Sequence, residues 1–110
     1  MRDSRDFRLR SGVLELIAGI ALSGVEGVWG TAVRPDHPED KGKKKNLVKG
    51  IKIETDQRET AVDIDANMEF GRDFIALAQE AQRVVAGMIE TMTGWKVVAV
   101  NVNVVGVNAL

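Results

Sequence analysis

Polar and apolar residues alternate with a period of two over three stretches of the chain. Val98, Val100, Val102 and Val104 alternate with Ala99, Asn101, Asn103 and Val105. This predicts a strand with one valine face and one mixed face. At about 3.3 Å per residue, the stretch 94–107 would run roughly 35 to 40 Å, long for a small domain. Ile51 and Ile53 alternate with Lys52 and Glu54, and Val62, Ile64, Ala66 and Met68 alternate with Asp63, Asp65 and Asn67. These predict a hairpin of strands 48–55 and 60–68, with a turn at 56–59 longer than a tight two-residue one. Each strand has one apolar and one charged face, so the sheet should be covered on one side only.

Two other stretches have helical spacing. Phe74, Leu77, Ala78, Ala81, Val84, Val85, Met88, Ile89 and Met92 trace one stripe, with Asp73 placed as an N-cap and Gly94 as a terminating glycine. Gly87 costs about 1 kcal/mol against alanine in a helix interior, which predicts a close approach by another element. Earlier, Val13, Leu16, Ile17, Ile20 and Ala21 form a stripe, with Ser11 as its N-cap and Gly24 as a left-handed end. The stretch 25–33 is apolar but broken by Gly27 and Gly30, which predicts a short, bulged strand. Residues 34–46 show no hydrophobic periodicity and carry Pro35, Pro38, Gly42 and many charges, the composition of a solvated, mobile loop.

The predicted order is helix, strand, strand, strand, helix, strand. A long helix between two strands calls for a right-handed crossover, which sets the last strand parallel to 60–68. The expected fold is α+β: a two-layer sandwich with two helices on one face of a mixed sheet and the other face open. Residues 1–10 are expected to form a flexible N-terminal segment, and 11–110 one domain with a mobile loop at 34–46.

Composition narrows the function classes. The 110 residues carry 15 basic and 16 acidic side chains, a net charge of -1, so no global field draws the chain to nucleic acid or an anionic membrane. The chain contains no cysteine, which excludes disulfides, thiolate zinc sites and cysteine nucleophiles within it. Its longest apolar run, 13–22, includes Glu15 and falls short of the ~18 to 20 residues of a membrane span. The first ten residues are too charged for a secretory signal. A soluble protein without direct membrane insertion is expected.

Several residue groups carry candidate chemistry. His37, the only histidine, lies among Asp36, Pro38, Glu39 and Asp40. Such a set could bind a divalent ion weakly, but the prolines hinder convergence and a solvated loop is the plainer reading; no metal or other cofactor is expected. Lys41, Lys43, Lys44 and Lys45 are a candidate contact for phosphate, offset by the acidic residues just before them. Asp63 and Asp65 share one strand face, and Asn101 and Asn103 share the mixed face of the last strand. Adjacent strands would join these four into a polar patch, where exposed strand polarity is a simpler account than acid/base catalysis. Trp29 and Trp95 read as anchors at the core edge. The long valine strand offers an edge and a face for docking, with Val97, Ala99, Asn101, Asn103 and Val105 as the candidate interaction surface.

The segments VLELIAGIALSGVEGVWG, KKKNLVKGIKIE, AVDIDANMEFG and above all TGWKVVAVNVNVVGV resemble the alkaline shock protein family of Gram-positive bacteria over about 11–107. The loop wording RPDHPED and the tryptophan after Gly94 depart from the usual pattern. The resemblance implies a non-catalytic, cytoplasmic protein of the cell-envelope stress response, lying at the inner face of the cell membrane when held there by a small anchor protein. It also implies homo-oligomers. The family has no recognised catalytic motif, so no site residue carries over. A small nucleic-acid-binding module using the basic loop 41–45 is the alternative, and nucleic acid is not the expected partner.

Overall fold

The computed structural model describes Leu9 and residues 12–31 and 50–108. The expected loop at 34–46, with His37 and the four lysines, lies outside the described residues, as do Ser11 and the Trp29 side chain. The elements are α1 (Val13–Ser23), β1 (Val28–Thr31), β2 (Ile51–Asp56), β3 (Glu59–Glu69), α2 (Phe74–Thr93) and β4 (Lys96–Asn108). This is the predicted order, and the fold is α+β.

β3 is the centre of the sheet. β4 runs parallel to it over its whole length, as the crossover required. β4 therefore occupies one edge of β3, and β2 and β1, both antiparallel to β3, share the other, β2 along residues 59–64 and β1 along 66–68. Thr60, Val62, Ile64, Ala66 and Met68 all point to the helical layer and are fully buried. Burying a valine, isoleucine or methionine is worth ~1.5–3 kcal/mol each, which makes this strand face the principal stabiliser. Leu77, Ala81, Val85 and Ile89 of α2 and Leu14, Ile17, Ala18, Ala21 and Leu22 of α1 close over it.

α2 begins and ends as its sequence predicts. Asp73 accepts hydrogen bonds from the Ile75 and Ala76 amides at 3.1 Å each, satisfying two of the amides that a helix start leaves unpaired. Gly94 takes φ 75° and donates its amide to the Glu90 carbonyl. Met92 falls outside the buried stripe and is 62% exposed. Gly87 is also exposed, and a Cβ there would meet nothing within 4 Å, so the expected close approach does not occur.

α1 is rotated from its predicted orientation. Its buried positions, Leu14, Ile17, Ala18, Ala21 and Leu22, continue to Val25, whereas Leu16 and Ile20 face outward. The helix is apolar nearly all round, so several stripes satisfy a 3.6 period equally well. Its N-cap is Gly12 in a left-handed conformation with no side-chain cap. Gly24 is right-handed, and the positive φ after this helix falls at Gly27 instead, at 98°. At Gly27 a Cβ would lie 2.9 Å from a Leu77 methyl, so the tight approach of this turn to α2 also demands glycine.

The hairpin turn is tighter than predicted. Asp56 pairs with Glu59, leaving Gln57 and Arg58 alone in the loop with φ 52° and 68°. Two successive positive φ values are those of a type I′ turn, whose twist matches the flanking strands.

Candidate interaction surface

β4 has thirteen residues and, among the described residues, pairs with β3 on one side only. The parity of its side chains is reset twice. Between Thr60↔Val97 and Ala61↔Ala99 the register shifts and Val98 is the extra residue; between Ala66↔Val104 and Asn67↔Gly106 the extra residue is Val105. Such bulges bend a strand and re-aim its side chains. Between the two bulges the predicted alternation holds. Val100 and Val102 lie beside Val62 and Ile64 and pack on the core, while Asn101 and Asn103 lie beside Asp63 and Asp65 on the open face.

The first bulge corrects one member of the candidate surface. Val97 aligns with buried Thr60 and packs against the core, so it belongs to the helical side; Val98 is the exposed residue there. Ala99, aligned with Ala61, stays with Asn101 and Asn103 on the open face. Val105 is exposed, at the second bulge. Trp95 packs against the core edge, as predicted.

The polar patch forms, and one side chain organises it. Asn103 Nδ2 donates to Asp65 Oδ1 at 3.1 Å and to Asp63 Oδ1 at 3.3 Å. Lys52 aligns with Asp63 across the hairpin, so cation, carboxylates and amides follow one another across the three strands. Opposite charges at such cross-strand positions stabilise a sheet by ~0.2–1 kcal/mol. Among the described residues no group of three or more histidine, cysteine, aspartate and glutamate side chains could hold a metal ion. The patch is an ordered polar surface.

Along the edge of β4 turned away from β3, α2 contributes two side chains that sequence reasoning did not single out. Gln82 Nε2 donates to the Val100 carbonyl at 3.0 Å, and Glu90 Oε2 accepts from the Val97 amide at 2.9 Å. Gln79, Gln82, Arg83 and Ala86 with residues 97–100 line an open cleft of about 420 Å³. Both caps depend on how α2 lies over the edge, and a linear pattern of polar residues does not encode that. Beyond residue 100 no α2 side chain bonds the strand, and Val104, Val105 and Val107 are 38%, 51% and 48% exposed. Phe70, whose amide donates to the Asn108 carbonyl, and Ile75 in the first turn of α2 are each 72% exposed. No described helix is long and apolar enough to cross a membrane.

No curated protein and no solved structure matches the chain. Residues 2–109, nearly the whole chain and including all three strands of the polar patch, match the family model that describes alkaline shock proteins and gives them a cell envelope-related function; the chain belongs to that family.

Proposed function

We propose that this protein is a non-catalytic component of the cell-envelope stress response that acts as an interaction and assembly module. It works in the cytoplasm, and a small anchor protein holds it at the inner face of the cell membrane. The observation that carries this reading is the edge of β4 that no described strand pairs, flanked by exposed valines and by the ordered patch of Asp63, Asp65 and Asn103. Edges of this kind recruit another strand unless charge, proline or a covering element blocks them. The polar patch supports the same reading, because its groups are engaged with one another on an open face.

Size exclusion with light scattering, over a wide concentration range and at two salt levels, tests the assembly reading. A dimer or larger species that survives high salt is the expected result, since apolar and backbone contacts are screened little by salt. A strict monomer at every concentration would sink it.

A further inference from the structure

We propose that residues 102–108 of β4 pair antiparallel with the same residues of a second copy of this chain, about a two-fold axis, while Gln82 and Glu90 close the start of the strand to such pairing. This rests on the assembly reading above and names the part of the surface that carries it.

The division of the edge is drawn by hydrogen bonds. Val97 and Val100 have outward backbone groups satisfied by Glu90 and Gln82 of their own chain. An incoming strand would have to displace both caps, exchanging made bonds for made bonds with little net gain. Beyond Val100 no hydrogen bond from another described residue caps the outward groups. The uncapped stretch runs for roughly 23 Å at about 3.3 Å per residue, longer than a typical strand of ~5–6 residues. Ile75 precedes Gln82 by one heptad and so lies on the same side of α2. It is an exposed apolar side chain on the helix face that carries Gln82.

The occupant follows from the chemistry of the strand. From Val97 to Asn108 there is no charged residue and no proline, in a chain of which 28% is charged. Two of the usual guards against edge pairing, charge and proline, are missing from it. A charged foreign strand would find no complement here, whereas two identical neutral strands meet without like-charge repulsion. An isologous contact about a two-fold axis also closes on itself, consuming both β4 edges. The bulge at Val105 interrupts a regular ladder and limits the paired stretch.

Because the chain has no cysteine, single-cysteine variants at Val102, Asn103, Val104, Val105 and Val107 can be oxidised and read on non-reducing gels, alongside light scattering. Ala99→Cys on the open face and Leu16→Cys on α1 serve as references. Across a two-fold axis one position faces its own copy, so disulfide yield should peak at one site within 102–107 and fall away on both sides. Val105→Lys, at an exposed site, should leave the circular dichroism unchanged and weaken the dimer about tenfold or more. An oligomer in light scattering with its strongest cross-link at Ala99→Cys or Leu16→Cys would overturn the edge pairing and leave the assembly reading standing. An oligomer indifferent to Val105→Lys, with a flat cross-linking profile, would do the same. A monomer under all conditions would remove both.

Discussion

Thr60 is wholly buried among the core residues of β3, and its Oγ1 has no hydrogen-bond partner among the described residues. In the unfolded chain that hydroxyl bonds to water, so folding strips it of partners at a cost of ~1–3 kcal/mol. Thr60→Val replaces the hydroxyl with a methyl of nearly the same size and keeps the β-branched shape that suits a strand. The expected stabilisation is about 1–2 kcal/mol. For 110 residues the unfolding entropy is roughly 0.23 kcal/mol/K, so each kcal/mol moves the midpoint by about 4 °C. Thermal unfolding should therefore show Tm raised by about 4–9 °C, and urea unfolding a raised midpoint with an unchanged slope. Thr60→Ser keeps the hydroxyl and deletes the methyl, and should cost about 1 kcal/mol through the cavity left behind. If Thr60→Val leaves Tm unchanged or lowers it, the hydroxyl is satisfied in solution and the reasoning fails.

Two further substitutions test the description of the helical layer and the open face. Gly87→Ala, at an exposed helix position where a Cβ meets nothing, should stabilise by about 1 kcal/mol; a loss of stability in urea unfolding would mean that something does approach this residue. Gly106→Ala would drive its Cβ into the Asn67 side chain and should destabilise by about 1–3 kcal/mol, with Asn67→Ala in the same chain recovering part of the loss in a double-mutant cycle.

Where the sequence was legible, several signals agreed at one place. α2 combined a nine-position stripe with Asp73 at its start and Gly94 at its end, and all but Met92 of that stripe is buried or half-buried. The parallel placement of β4 followed from the helical crossover, and the meeting of Asp63 and Asp65 with Asn103 followed from that placement. α1 was ambiguous because a helix of almost uniform apolarity has no unique inner face. The turn was hidden because Gln57 and Arg58 are neither glycine nor asparagine, the residues that ordinarily mark two positive φ values. Val97 was assigned to the wrong face because strict alternation cannot register an inserted residue. The caps from Gln82 and Glu90 join residues that only the tertiary arrangement brings together.

The two bulges explain why a strand at the edge of a sheet carries so many valines. Between them, Val100 and Val102 face the helices and hold the fold, while Asn101 and Asn103 face outward and hold the polar patch. At the bulges the parity slips, and Val98 and Val105 emerge at the surface. Near the first bulge α2 covers the backbone with Gln82 and Glu90; near the second it does not. A continuous unguarded edge of this length would favour open-ended aggregation. A strand closed at one end and interrupted at the other admits a short pairing in one register, and that is the physical difference between a specific contact and a sticky surface. Perturbations should separate accordingly: Val102→Ala should lower stability by the cost of a core cavity, whereas Val105→Lys should change association and leave the fold intact. If the two substitutions had the same effect, the separation of fold from contact along β4 would be wrong.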